Sequence, residues 1–225
     1  MAKAPERGKV KTRLCPELSP GDAARLAAAA LLDTIDVVDA LAASTPGLSK
    51  VVALQGHLVH ATDGPLIAAR MIGGDDAQRW TRIPQRGSGF AERLMFAHRD
   101  AGGRGPVLQI GMDTPQISTE VLGHAATTLQ ASGIDAVVGR AADGGWWGLG
   151  VRDARMARVL RGVEMSTERT GEQTILALRS AGLRVALLPT LTDVDTFADA
   201  VAVAKLAPRT RFAREFRLLA TGVAA

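Results

Sequence analysis

The sequence predicts an α/β fold: one domain with a mostly parallel sheet covered by helices on both faces. Three observations carry this prediction. Short apolar runs of strand length alternate with helix-length amphipathic stretches through most of the chain. No internal repeat or low-complexity linker interrupts the alternation. At 225 residues the chain is long enough for one full core and too short to make two domains the default. Residues 1–205 are expected to form the domain, and residues 206–225 an amphipathic closing helix that docks on it.

The chain opens on a basic segment, K-A-P-E-R-G-K-V-K-T-R-L at residues 3–14, which gathers Lys3, Arg7, Lys9, Lys11 and Arg13 around Pro5 and Gly8. Crowded cations repel unless an anion lies between them, and turns at Pro5 and Gly8 would aim backbone N–H groups inward. A basic run alone reads as a solvated arm. Here Ser19-Pro20-Gly21-Asp22 follows, a helix start with a capping Ser, Pro at the first helical position and an acid in the first turn. A basic loop that opens into a helix is where phosphates bind. It is not a Walker motif, because Val10 rather than Gly precedes Lys11-Thr12.

The first helix spans 20–43, with Ala24, Ala27, Leu31, Ile35 and Val38 on an apolar stripe and Arg25, Asp33 and Asp36 on another face. A buried strand over 48–55, a short helix over 64–72 and a weak strand over 79–85 follow. Gly87-Ser88-Gly89 opens a helix over 90–100, without a dinucleotide fingerprint, since Glu92 stands where the third Gly belongs. An apolar strand at 107–111 ends in G-M-D-T-P. A helix over 119–131, a strand over 135–140, the turn Asp143-Gly144-Gly145 and a strand over 146–151 come next. A helix over 154–161 precedes a polar loop, and Thr170 with Gln173 reads as a capping box for a helix over 172–180. A strand at 185–188 extends through T-D-V-D-T to a helix beginning near Phe197. Only Met1 and Ala2 precede the basic segment, where such a fold puts a strand, so an apolar run upstream of Met1 is expected and the first strand is read as truncated.

Composition bounds the function. Apolar residues at 47% and charged residues at 22% describe an ordinary globular protein. The net charge is only +4, and its cations cluster at both ends, which favours a local anion site over a continuous nucleic-acid stripe. Cys15 is alone, so no disulfide framework or Cys-based metal cluster exists. No apolar run reaches membrane-spanning length and no signal-peptide core is present. A cytoplasmic enzyme or binding protein acting on small molecules, with no nucleic-acid partner, is the expected class.

In open α/β sheets, ligands bind beyond the carboxyl ends of strands. The basic loop, Asp113, the 143–145 turn and the pair Asp193/Asp195 all fall at such positions. Asp113 closes an apolar strand, with Pro115 behind it, so its carboxylate is expected to face the crevice. Asp193 and Asp195 project from one face of an extended chain. With Asp113 they supply the hard oxygens that Mg²⁺, or Mn²⁺, takes. The alternative is that Asp195 caps the helix after it and Asp193 its turn. Of Trp146 and Trp147, one packs in the core and the other is placed to stack on a sugar or base. His57, His60, His98 and His124 share no ligand spacing, and Cys15 reads as a small buried hydrophobe.

Four motifs in order, K-A-P-E-R-G-K-V-K-T-R-L-C-P, I-G-M-D-T-P, A-D-G-G-W-W-G-L-G and L-T-D-V-D-T, resemble the signatures of a GT-A-like transferase family. That family is labelled a domain of unknown function and commonly filed as glycosyltransferases. The resemblance covers residues 1–205. More distantly, K-T-R-L with D-V-D-T resembles the phospho-lactate, phosphoenolpyruvate and molybdenum-cofactor guanylyltransferases. It implies a three-layer nucleotide-diphospho-sugar transferase sandwich and a Mg²⁺-dependent transferase with a nucleotide donor and a small-molecule acceptor. Lys3, Gly8, Lys11 and Arg13 would hold nucleotide phosphates, with Lys11, Arg13 and Asp113 at the chemistry. Asp113, Asp193 and Asp195 would hold the metal, and Asp143, Gly144, Gly145 and Trp146 the second substrate. Family members carry Tyr-Tyr where this chain has Trp146-Trp147. Crowded cations favour a triphosphate, hence nucleotidyl transfer. Glycosyl transfer from a nucleotide sugar and a non-catalytic nucleotide-binding domain are the alternatives.

Overall fold

The computed structural model describes residues 1–15, 17–72 and 79–223; Pro16, which closes the first motif, lies outside them. In chain order the elements are β1 Ala2–Lys3, α1 Pro20–Ser44, β2 Val51–Gln55, α2 Gly64–Ile72, β3 Thr81–Pro84, α3 Phe90–Gly102 and β4 Val107–Ile110. There follow α4 Thr119–Gln130, β5 Ala136–Ala141, β6 Trp146–Val151, a 3-10 segment Ala154–Gly162, α5 Thr170–Ser180, β7 Val185–Leu191, α6 Phe197–Leu206 and α7 Arg211–Val223. The architecture is α/β. Its contacts gather in two units, one made of Met1, Ile83–Gly111 and Glu120–Thr192, the other of Ala2–Arg82, Met112–Thr119 and Asp193–Ala225.

The second unit is built around α1. Ser19 caps it, its hydroxyl oxygen accepting from the Asp22 N–H at 3.1 Å, with Pro20 in the first turn. Its alanines bring two cores close to one helix. Ala24, Ala27, Leu31 and Ile35 pack with Val52, Leu54, Ile67 and Met112. Ala23, Leu26 and Ala30 pack with Val194, Val203, Phe212 and Phe216. The expected apolar stripe is therefore too narrow, because α1 is buried over two faces. Asp33, expected on a polar face, is 8% exposed. Its carboxylate accepts the backbone N–H of Arg211 and of Phe212, each at 2.9 Å, and so caps α7. β1 runs parallel to β2, Ala2 opposite Leu54 and Lys3 opposite Gln55, in a three-stranded sheet ordered β1-β2-β3.

The first unit holds a four-stranded sheet ordered β4-β6-β5-β7. β5 and β7 are parallel, whereas β6 is antiparallel to both β4 and β5. The pairing is more mixed than strand–helix alternation suggests, because the 143–145 turn folds β6 straight back along β5. A bulge at Gly139/Arg140 shifts the register there. Trp147 is fully buried, and a Cβ on Gly139 would lie 2.2 Å from its ring.

Two local expectations are corrected. The 154–161 helix is a 3-10 segment, since Ala154, Ala157, Leu160 and Val163 are buried at intervals of three while Arg155, Arg158 and Arg161 face out. Thr170 and Gln173 form no capping box: the Thr170 hydroxyl donates to the Glu164 carbonyl at 2.9 Å, and the Gln173 carbonyl oxygen accepts from Glu164 N–H at 3.2 Å. Both side chains close the preceding loop. Among the described residues, no helix is long and apolar enough to cross a membrane.

Candidate functional site

The basic loop leaves β1 and turns sharply. Glu6 accepts Lys9 N–H at 3.0 Å across a turn with Gly8 at φ +74°. The Glu6 carboxylate is buried and accepts from Lys9 Nζ at 2.5 Å and from His57 N–H at 3.2 Å. The Lys9 hydrogen bond, followed by the His57 one, holds its pKa below the ordinary value. A Cβ at Gly56 would come within 2.7 Å of Glu6 Oε1, so the backbone there passes as close as glycine permits.

Lys11 lies in the left-handed region at φ 48°, ψ 37°, which costs an ordinary residue about 1–2 kcal/mol. Its ammonium stands 2.9 Å from Asp113 Oδ1 and 3.2 Å from Asp195 Oδ1. The Lys11 side chain is 10% exposed, whereas those of Asp113 and Asp195 are 40% and 36% exposed. Burial favours losing the proton, but the charges of Asp113 and then Asp195 outweigh it, and the Lys11 pKa lies above its ordinary value. Arg13, 75% exposed, reaches to 3.7 Å of Asp195 Oδ2. Asp193 accepts the Thr114 hydroxyl at 2.9 Å, and Val194 N–H donates to the Asp113 carbonyl at 2.9 Å. Thr196, not Asp195, caps α6, in a capping box with Asp199. Asp195 is thereby left to face Lys11.

The structure thus brings together Lys11, Arg13, Asp113 and Asp195, with Asp193 bonded beside them. Lys3 and Arg7 are exposed and have no ion pair among the described residues. Three of the five cations have the protein's own carboxylates as neighbours: Glu6 for Lys9, Asp113 and Asp195 for Lys11, Asp195 for Arg13. Among the described residues, no three carboxylate, His or Cys groups are arranged to hold a metal ion by themselves. Asp113 and Asp195 still fit a hard cation in their chemistry, since Mg²⁺ is commonly held by one or two carboxylates with substrate phosphates. Sequence reasoning overlooks Glu6 and Thr114. The signal for Glu6 is that it is the sole acid in the first twelve residues of a crowded basic run.

In the other unit, Asp143 Oδ1 accepts Gly145 N–H at 2.8 Å and fixes the turn between β5 and β6. Gly144 has φ +91°, and a Cβ on it would lie 1.9 Å from the Glu168 carbonyl oxygen. Its own carbonyl accepts Gly171 N–H at 2.8 Å. Packing alone therefore demands Gly144. Trp147 is the core tryptophan, its indole N–H donating to the Pro189 carbonyl at 2.9 Å. Trp146 is half-buried, and its indole N–H is buried without an acceptor among the described residues.

Similar proteins can now be set beside this geometry. A crystal structure from Desulfovibrio desulfuricans G20, provisionally assigned as a nucleotide-diphospho-sugar transferase, is 27% identical, with a TM-score of 0.79 over 99% of this chain and 93% of that one. CMP:2-keto-3-deoxy-manno-octonic acid synthetase complexed with CTP is 13% identical over 77% of this chain and 87% of its own, with a TM-score of 0.48. Rv0371c from Mycobacterium tuberculosis H37Rv is 20% identical over 77% and 82%, with a TM-score of 0.45. TM-scores below 0.5 add nothing to the fold assignment. No curated protein matches the chain. A family profile matches residues 39–167, more than half the sequence and inclusive of Asp113 and the 143–146 turn. The chain belongs to the family described as "Uncharacterized protein conserved in bacteria (DUF2064)".

Proposed function

We propose that the protein is a transferase that uses a nucleotide donor. One observation carries the reading: the basic loop before α1 delivers the Lys11 ammonium to within 2.9 Å of Asp113 and 3.2 Å of Asp195. Cations and carboxylates converging on one loop suit phosphoryl groups, whose chemistry asks chiefly for positioning and charge neutralisation. The Arg13 guanidinium is exposed enough to fork around phosphate oxygens. Lys3, Gly8 and Lys11 complete the proposed phosphate-binding set. Asp113 and Asp195, with Asp193 beside them, would hold Mg²⁺ or Mn²⁺, which neutralises the developing charge on the transferred group. Asp143, Gly144, Gly145 and Trp146 remain the proposed acceptor-binding residues.

Two donors divide the reading. Pairing of Lys9 and Lys11 with the protein's own acids reduces the surplus of cations that favours a triphosphate. The description of the Desulfovibrio structure supports a nucleotide-diphospho-sugar donor. Products separate them, pyrophosphate for nucleotidyl transfer and a nucleoside diphosphate for glycosyl transfer.

The test is a thermal-shift and turnover screen of nucleoside triphosphates and nucleotide sugars, with and without Mg²⁺. A ligand selective for the folded state raises the melting temperature. Asp113→Asn keeps shape and removes charge, so Mg²⁺-dependent turnover should vanish while metal-free nucleotide binding stays equal or tightens. Full activity in that variant would refute the metal assignment, and no shift with any nucleotide would refute the reading as a whole.

A further inference from the structure

We infer that Lys11 is the resident counter-cation of the Asp113/Asp195 pair, and that a divalent cation binds there only by displacing its ammonium. The inference rests on the transferase reading for its biological sense, not for its geometry. The Lys11 ammonium lies within hydrogen-bond distance of one oxygen of each acid, 2.9 Å and 3.2 Å away, so it already fills the gap between the two carboxylates. Two cations cannot share that gap, because each would lose the attraction that holds the other. The lysine side chain is also the most buried member of the trio, at 10% exposure against 40% and 36%. It therefore closes the pair from the protein side, while the carboxylates stay open to solvent.

The backbone agrees. Lys11 holds an unfavourable left-handed conformation, and its two ion pairs are what this conformation secures. A phosphate-bearing ligand on the loop offers the ammonium a new anion. The acids are then released for a metal, whose hold on two carboxylates is weak until phosphate oxygens add to it, since no third such ligand stands among the described residues. The order of binding that follows is anion first, metal second. Metal without anion is held off by Lys11, and metal with anion is favoured because the two cations then have separate partners.

The test needs no turnover. Mn²⁺ binding to the protein alone is measured by electron paramagnetic resonance of the free ion, for the parent, Lys11→Met and Lys11→Arg. Lys11→Met keeps the stem and removes the charge, so its Mn²⁺ affinity should rise at least about tenfold, a difference of about 1.4 kcal/mol. Lys11→Arg should bind Mn²⁺ as weakly as the parent, and Asp113→Asn in the Lys11→Met background should erase the gain. Unchanged affinity in a folded Lys11→Met overturns the inference. Should that variant not fold, the parent still decides: reductive methylation of Lys11, followed by peptide mass spectrometry, should speed up several-fold when Mg²⁺ saturates the pair. An unchanged rate overturns the inference equally. A protein that turns over no nucleotide can still pass these tests, and a working transferase can fail them, so the two readings fall separately.

Discussion

Thr114 donates its hydroxyl hydrogen to Asp193 Oδ1 at 2.9 Å, and one residue on, Val194 N–H donates to the carbonyl of Asp113 at 2.9 Å. The turn after β4, which carries Asp113, and the segment before α6, which carries Asp195, are thus laced together. Thr114 is buried, so its hydroxyl has no water to replace Asp193. Thr114→Val keeps the shape and removes the donor. A hydrogen bond to a charged group is worth about 1.5–3 kcal/mol, and urea unfolding should register a loss of that size. An unchanged midpoint would mean that Val194 alone sets the segment.

Gly144→Ala tests whether the glycine of the 143–145 turn is structural. Positive φ costs alanine about 1–2 kcal/mol, and overlap with the Glu168 carbonyl adds about 1–3 kcal/mol. Thermal unfolding should reveal the sum with no ligand present. A variant as stable as the parent would return this glycine to a purely ligand-binding role.

Asp33 anchors the start of α7, and removing it should loosen that helix first. Asp33→Ala strips the acceptor from two backbone donors, at about 1–2 kcal/mol for a lost cap. Limited proteolysis should then cut within α7 before any other helix. Burial raises the pKa of Asp33 against the two donors that lower it, so the protonated form is favoured by folding and that contribution fades as pH rises past the raised value. At neutral pH the charge is held at a cost. Asp33→Asn keeps one acceptor without the charge, and should therefore be far milder than Asp33→Ala.

Asp135 gives a pH signature. Its bonds with the Arg184 side chain, then with the Arg184 backbone N–H, lower its pKa from 3.8 to about 2. Folding thus favours the ionised form. The contribution is complete above pH 3.8 and disappears as pH falls through about 2. The stability difference between parent and Asp135→Asn, followed by urea titration, should shrink over that interval. A difference constant down to pH 2 would show that the pair does not matter.

Local chemistry made much of the fold legible. Ser19-Pro20-x-Asp22 marks the start of α1, and apolar runs locate β2, β4, β5 and β6 within a few residues. Two of the features that escaped share a cause, a partner distant in sequence. Nothing within α1 says that Asp33 will meet the N-terminus of a helix formed much later. The basic loop announces five cations, but not that Asp113 and Asp195 answer Lys11, since only folding joins three segments. The 154–162 segment is different, because its signal was local. A hydrophobic period of three in Ala154, Ala157, Leu160 and Val163 belongs to the 3-10 helix and not to the α-helix. Thr170 and Gln173 match a capping pattern by type and spacing, yet the loop before α5 takes both side chains first.

The Gly139–Trp147 contact ties the side-chain volumes allowed at these two positions to each other. With the indole ring 2.2 Å from where a Cβ would stand, any side chain at 139 demands a smaller residue at 147. Aligned relatives should accordingly trade volume between the two positions, and a swap introduced at only one of them should be rescued by the compensating change at the other. Such a pair is a register mark across the β5–β6 bulge, readable in sequences alone.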